Sequence, residues 1–92
     1  MTPQQIQLQN KRQEWNKKFS LIRPYISEQI RCDWARNNAV SRSTVYNYLM
    51  HGKVYDVYLA ERMFDGLVEM AGLSKSEVKK ILKGEVLQQK PV

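Results

Sequence analysis

Residues that break helices are scarce in this sequence, and this scarcity limits the possible folds more than any other feature. Glycine and proline occur in 92 residues only at Pro3, Pro24, Gly52, Gly66, Gly72, Gly84 and Pro91. No segment shows the alternation of apolar and polar residues that is typical of a half-buried strand. Apolar residues recur instead at steps of three and four, as on one face of a helix. The sequence therefore predicts an all-α fold, a small bundle of about five helices.

The first two predicted helices are separated by a proline. The first has an apolar face made of Leu8, Trp15, Phe19 and Ile22. Pro24 disfavours a helical conformation at Arg23, so this helix should end or kink there. Ser27 is the predicted N-cap of the second helix, and its core face holds Ile26, Ile30 and Trp34. We expect this helix to end through a left-handed residue at Asn37 or Asn38.

Three shorter helices are predicted in the second half of the chain. Ser41 is the expected N-cap of the third, Val45 and Leu49 form its core face, and Gly52 ends it. The fourth, residues 57–71, has an apolar face made of Leu59, Met63, Leu67 and Met70. The fifth opens with a capping box from Ser74 to Glu77.

Length and charge indicate one small domain rather than an enzyme with an elaborate cleft. We assign residues 1–92 to a single domain with polar tails at 1–5 and 86–92. The formal net charge is +6, and the basic segments 1–23 and 74–92 flank the acidic segment 53–73. Such a distribution favours a polyanionic partner.

Several classes of site are not expected. Cys32 is the only cysteine and His51 the only histidine, so the sequence predicts no intrachain disulfide, no metal site and no cofactor. No arrangement of nucleophile and base indicates catalysis, and we predict that the protein is not an enzyme. No apolar run approaches a membrane span, and no signal peptide is visible, so we expect a cytoplasmic protein.

Residues 27–51 have the layout of a helix-turn-helix. Ala35 is small where a second helix would cross, and Ala39 and Val40 form the turn. Val45 and Leu49 would dock the second helix on the core. The outward face at the start of that helix then consists of Arg42, Ser43, Tyr46 and Asn47.

This segment resembles the lambda-repressor-like and lac-repressor-like helix-turn-helix families of bacterial and phage regulators. The matching features are Val-Ser-Arg-Ser-Thr-Val at 40–45, Leu49, Gly52 and Leu-Ala-Glu-Arg-Met at 59–63, and the resemblance covers residues 26–70. It implies sequence-specific binding to double-stranded DNA for transcription regulation, with base contacts from Arg42, Ser43, Tyr46 and Asn47. The chain departs from these families at Ala39, where glycine is usual, and at Trp34, where a smaller aliphatic residue is usual.

Each candidate contact has a chemical reason. Arg42 matches guanine O6 and N7, Asn47 matches adenine N6 and N7, and Tyr46 can contact a thymine methyl or a phosphate. The predicted phosphate contacts are Ser41, Thr44, Arg31, Arg36 and Lys53. A homodimer on a pseudo-palindromic site would add specificity, and the first or last helix could form its interface. The sequence does not indicate a small-molecule effector; a DNA-binding protein of this kind would be associated with the nucleoid.

Two alternatives stay open. One is a helical adaptor that binds protein through the aromatic stretch from Tyr55 to Tyr58 and the acidic segment 53–73. The other is an accessory factor in DNA packaging or recombination. Of the remaining aromatic residues, Trp15, Trp34 and Tyr48 are expected in the core, and core filling is also the expected role of Tyr55 and Tyr58. His51 is expected to favour the helix dipole as a cap of the third helix.

Overall fold

The computed structural model describes residues 2–84, with the side chains of residues 5–9 excepted. Five α-helices follow one another along the chain: α1 (Pro3–Ile22), α2 (Glu28–Asn37), α3 (Arg42–Met50), α4 (Val57–Met70) and α5 (Lys75–Leu82). A 3-10 turn, Arg23–Tyr25, joins α1 to α2, and residues 2–84 contain no strand. The predicted all-α bundle is confirmed. None of the helices in this part of the chain is long and apolar enough to cross a membrane.

The predicted helix starts are formed by side-chain caps. The hydroxyls of Ser27 and Ser41 accept hydrogen bonds from the backbone N–H groups three residues later, and Ser74 forms a complete capping box with Glu77. These bonds satisfy N–H groups that have no partner within the helix. The cap of α4 was not predicted: the Asp56 carboxylate accepts hydrogen bonds from two backbone N–H groups of the first turn.

Helix α1 is longer than the sequence indicates. It begins at Pro3, a residue whose fixed φ suits a first helical position, so the segment predicted as a polar tail, residues 1–5, overlaps its first turn. It ends at Ile22, immediately before the 3-10 turn that contains Pro24, as predicted. Phe19 and Ile22 are fully buried and Trp15 is partly buried. The side chain of Leu8 and the predicted tail at 86–92 lie outside the described residues.

The core lies where α1 meets the other helices. Helix α1 packs against α3, α4 and α5, and α2 packs against α3 and α4. The largest fully buried side chains are Phe19, Ile22, Val45, Leu49, Met63 and Leu67. Burial of each such side chain contributes about 1.5–3 kcal/mol to folding. These contacts fix α3, the helix that carries the candidate site, on one side of the bundle.

The buried face of α4 is wider than predicted and is rotated. Met70 is 40% exposed and Leu59 only partly buried, although both were placed on the core face. The buried residues of α4 are Ala60, Met63, Phe64, Leu67 and Val68. The difference arises because α4 packs against both α1 and α2, so it buries a broader arc than a single neighbouring helix would cover.

Trp34 fits between α2 and α4 because residue 66 has no side chain. Trp34 is only 3% exposed, as expected for a core residue. A Cβ atom added at Gly66 would lie 2.6 Å from Cδ1 of Trp34 and closer still to its Nε1 atom. The large residue at position 34, one of the two departures from the helix-turn-helix families, is therefore matched by a glycine on the facing helix.

The connection between α3 and α4 is organised by Tyr48. Its hydroxyl accepts hydrogen bonds from the backbone N–H groups of Tyr55, at 3.2 Å, and Asp56, at 2.9 Å. Tyr48 is buried, as predicted. The prediction that Tyr55 and Tyr58 fill the core is wrong: these side chains are 67% and 82% exposed. Tyr48 occupies the interior, and the ring of Tyr55 lies edge to face against it from outside, with 6.3 Å between the ring centroids.

Candidate nucleic-acid interface

The turn between α2 and α3 has the left-handed residue and the longer hydrogen bond of a Schellman motif. Its left-handed residue is Ala39, with φ of +54°, and the next N–H, that of Val40, donates to the carbonyl of Ala35 at 3.0 Å. The expected left-handed position at Asn37 or Asn38 is wrong. Asn38 has φ of −114°, and both its backbone N–H and its side-chain amide donate to the carbonyl of Trp34. The left-handed residue thus lies where the resembling families have glycine.

The inner face of α3 is anchored throughout its length. Val45 and Leu49 are fully buried and Tyr48 is 3% exposed, as the helical spacing predicts. Ala35 of α2 belongs to the same core cluster. Near the end of α3, Nε of Arg23 donates to the carbonyl of Leu49 at 3.1 Å. Packing and this hydrogen bond together determine which side of α3 faces solvent.

The outer face of α3 begins with free polar side chains. Arg42 and Ser43 are exposed, Tyr46 is 42% exposed and Asn47 is half-buried. Among the described residues, no hydrogen bond or ion pair engages the side chains of Arg42, Ser43 or Asn47. The four predicted base-contact residues therefore share one accessible face, and three of them have their full hydrogen-bonding capacity available.

Tyr46 differs from its neighbours because two residues hold its ring. The guanidinium carbon of Arg31 lies 5.5 Å from the ring centroid, and the His51 ring approaches edge to face at 5.2 Å. These contacts restrict the ring at the centre of the outer face. Sequence reasoning missed both contacts: the contact of Arg31 depends on how closely α2 and α3 cross, and that of His51 depends on the conformation of the C-cap of α3. His51 is also the C-cap residue of α3, with its backbone N–H bonded to the carbonyl of Asn47.

The hydroxyls of Ser41 and Thr44 are engaged in the cap of α3. Their oxygen atoms lie 2.7 Å apart, and Ser41 Oγ also accepts from the Thr44 N–H at 3.1 Å. One hydroxyl must donate to the other, so one O–H of the pair remains free to donate to a phosphate. The first turn of α3 contains no acidic residue, and its remaining N–H groups add the positive end of the helix dipole.

The basic residues near α3 are not equivalent. Arg36 is exposed but forms an ion pair with Asp33 at 2.8 Å, so its charge is partly compensated. Arg31 is half-buried against Tyr46, whereas Arg42 is exposed and unpaired within residues 2–84. Lys53 is exposed beyond the opposite end of α3. Basic groups consequently lie at both ends of the helix, as a phosphate backbone on either side of a groove would require.

The described side chains offer no candidate metal site. Among the residues with described side chains, no group of three or more His, Cys, Asp or Glu residues could hold a metal ion. Cys32 is a free, half-buried thiol of α2. The outer face of α3 and its surroundings on α2 therefore form the candidate site.

Comparisons of the chain with models of known protein families, with curated proteins and with solved structures found no match. The helix-turn-helix interpretation accordingly depends on the residues of this chain and on the geometry described above.

Proposed function

We propose that the protein binds double-stranded DNA with sequence specificity by inserting α3 into the major groove, and that it is a transcriptional regulator of bacterial or phage type. One observation carries the proposal. The inner face of α3 is fully buried at Val45 and Leu49, while on its outer face the exposed side chain of Arg42 and the half-buried side chain of Asn47 form no hydrogen bond or ion pair within the described structure.

The dimensions of α3 suit this role. Nine residues give a helix about 13 Å long, and a helix with its side chains is about 10–12 Å across. The major groove of B-DNA is about 12 Å wide and accepts one helix. Because the buried residues lie on one side only, α3 can enter such a groove while the bundle remains outside.

The exposed residue types have different roles in this proposal. Arg42 would donate two hydrogen bonds to guanine, and Asn47 would pair with the edge of adenine. Tyr46, restrained by Arg31 and His51, would contact a thymine methyl between the bases bound by Arg42 and Asn47. The free O–H of the Ser41 and Thr44 pair would bind phosphate at one end of α3, and Lys53 would do so at the other end.

The test is selection of bound oligonucleotides from a random pool, followed by fluorescence anisotropy on the selected duplex. Arg42→Ala and Asn47→Ala should each weaken binding by about 1–3 kcal/mol, roughly 5- to 150-fold, and relax the preference at one base pair. Lys53→Ala should weaken binding to all duplexes alike and reduce its salt dependence.

Arg62→Ala is the matched control. Arg62 is exposed on α4, and its removal changes the net charge by the same amount as removal of Arg42. Equal losses for the two variants would contradict the proposal, since they would show a response to charge alone. Selection that enriches no sequence would contradict it as well.

A second candidate function is a protein-binding adaptor, and exposed aromatic residues favour it. Tyr55 and Tyr58 are 67% and 82% exposed, next to the acidic residues of α4. In this case the pair Tyr55→Ala and Tyr58→Ala should abolish binding to a stable protein partner, while Arg42→Ala should have no effect. The remaining alternative, an accessory role in DNA packaging or recombination, would use the same contacts of α3 without control of transcription.

A further inference from the structure

The net charge of the protein lies on two helices that are remote in sequence and adjacent in space. Helix α1, together with α5 and its C-cap, contains eight basic residues and two acidic ones. The basic residues are Lys11, Arg12, Lys17, Lys18, Lys75, Lys79, Lys80 and Lys83. Their excess of six equals the formal charge of the whole chain, so all other segments together are neutral. Helix α5 packs against α1, so the two basic ends of the sequence are adjacent. On α1, however, Arg12 donates to the carbonyl of Tyr55 and Lys18 lies over the ring of Trp15, whereas the lysines of α5 have no such contact among the described residues.

The basic face of α5 points away from the core. Ile81 is buried and Val78 and Leu82 pack against the core cluster, whereas Lys79, Lys80 and Lys83 are exposed. With 100° between successive residues, Lys79 and Lys83 lie about 20° on either side of the direction opposite Ile81, and Lys80 lies about 100° from Ile81. No ion pair engages any of them within residues 2–84. Their charges are therefore available to an external anion.

This face is separate from the outer face of α3. The surface depressions around the start of α3 are lined only by residues from α2, the turn and α3. Residues 27–53, which form that site, have four basic and two acidic residues, an excess of only two. The larger share of positive charge thus lies on helices that do not line the proposed groove-reading site.

We propose that Lys79, Lys80 and Lys83 of α5 form a second binding face, which holds the phosphate backbone of another duplex segment without sequence preference. Lysine is a point charge that suits phosphate, and no arginine fork or aromatic ring accompanies Lys79, Lys80 and Lys83 to recognise a base. An anionic membrane is a poorer match. A helix that lies on a bilayer needs a continuous exposed apolar face, whereas in α5 Ile81 is buried and Val78 and Leu82 are partly buried against the core. One molecule would then hold two DNA segments.

The test uses the variant with Lys79→Gln, Lys80→Gln and Lys83→Gln, and a control with arginine at the same three positions. An immobilised duplex is incubated with protein and then with a second, labelled duplex of unrelated sequence. The wild-type and arginine proteins should capture the labelled duplex, and the glutamine variant should lose this capture. Its nonspecific binding should also have a salt slope smaller by about 2.7, since each phosphate that is no longer neutralised reduces the slope by about 0.9.

The two proposals fail in different ways. Capture of a second duplex rests on the proposed function, because α3 must hold the first. If α3 does not read DNA, Arg42→Ala and Asn47→Ala leave all binding unchanged and no second duplex is captured, yet the salt slope of nonspecific binding still depends on the α5 lysines. Capture that survives in the glutamine variant would overturn the second face, as would an unchanged salt slope. Lysine-dependent binding to vesicles with anionic lipid, without lysine-dependent capture of duplex, would overturn it in favour of a membrane. Circular dichroism checks that the variants keep their helices.

Discussion

The contact between Trp34 and Gly66 predicts that Gly66→Ala destabilises the wild-type protein but stabilises a variant in which the Trp34 indole has been removed. Gly66→Ala places a methyl group where the indole of Trp34 lies, 2.6 Å from Cδ1 and nearer to Nε1. Trp34 is 3% exposed and surrounded by the core, so the ring has little room to move. Overpacking of this kind costs about 1–3 kcal/mol, and a contact this short belongs at the upper end of that range.

Helix propensity opposes the clash. Alanine is favoured over glycine inside a helix by about 1 kcal/mol, and residue 66 lies within α4. The net expectation for Gly66→Ala is a loss of about 1–2 kcal/mol. For a chain of this length, 1 kcal/mol corresponds to about 4–8 °C in Tm. Thermal and urea unfolding should therefore show a decrease in Tm of about 4–16 °C.

Trp34→Leu provides the decisive background. Alone it should destabilise the protein by leaving a cavity between α2 and α4. With the indole removed, Gly66→Ala should become stabilising by up to about 1 kcal/mol, since only the propensity gain and partial cavity filling remain. Destabilisation of equal size in both backgrounds would refute the reasoning, because the two residues would then not interact.

Three further substitutions test the turn, the α3–α4 connection and a cap. Ala39→Gly should stabilise the protein by about 0.5–1 kcal/mol in urea unfolding. The strain of an alanine in the left-handed conformation, about 1–2 kcal/mol, is removed, and this gain exceeds the entropic cost of glycine, about 0.4–1 kcal/mol. A lower urea midpoint for the variant would contradict this. Tyr48→Phe removes the acceptor of two backbone N–H groups and should cost about 1–3 kcal/mol, with faster hydrogen exchange at Tyr55 and Asp56. Unchanged exchange at both amides would exclude the role given to the hydroxyl. Ser74→Ala should lower stability by about 1 kcal/mol in thermal unfolding, because it removes the capping box. The control is Ser76→Ala at the exposed residue two positions later, which should have a much smaller effect. Similar losses of stability in the two variants would rule out the capping box as the cause.

The sequence predicted best those features that depend on near neighbours in the chain. Ser27, Ser41 and Ser74 cap helices as expected, because a cap joins residues three positions apart. The burial of Val45 and Leu49 follows from helical spacing and is confirmed. The same local signals indicated which residues form the outer face of α3.

Features that depend on tertiary packing were predicted less well. Ala39 is the left-handed residue because the Val40 N–H donates to the carbonyl of Ala35. The preference of asparagine for a left-handed conformation does not determine which residue of the turn allows this hydrogen bond. Exposure of Met70 depends on the two helices that contact α4. The support of Tyr46 by Arg31 joins residues fifteen positions apart and has no signal in the spacing.

The concentration of net charge on α1 and α5 has a kinetic consequence. Long-range attraction to a polyanion is strongest where positive charge is in excess, so under the proposed function first encounters with nucleic acid would be directed toward these helices rather than toward α3. Association should accordingly be fast and strongly dependent on ionic strength, whatever the sequence encountered. The lifetime of a specific complex would instead be set by the short-range contacts of Arg42 and Asn47. Arrival at DNA and residence on it would thus be controlled by different parts of one small protein.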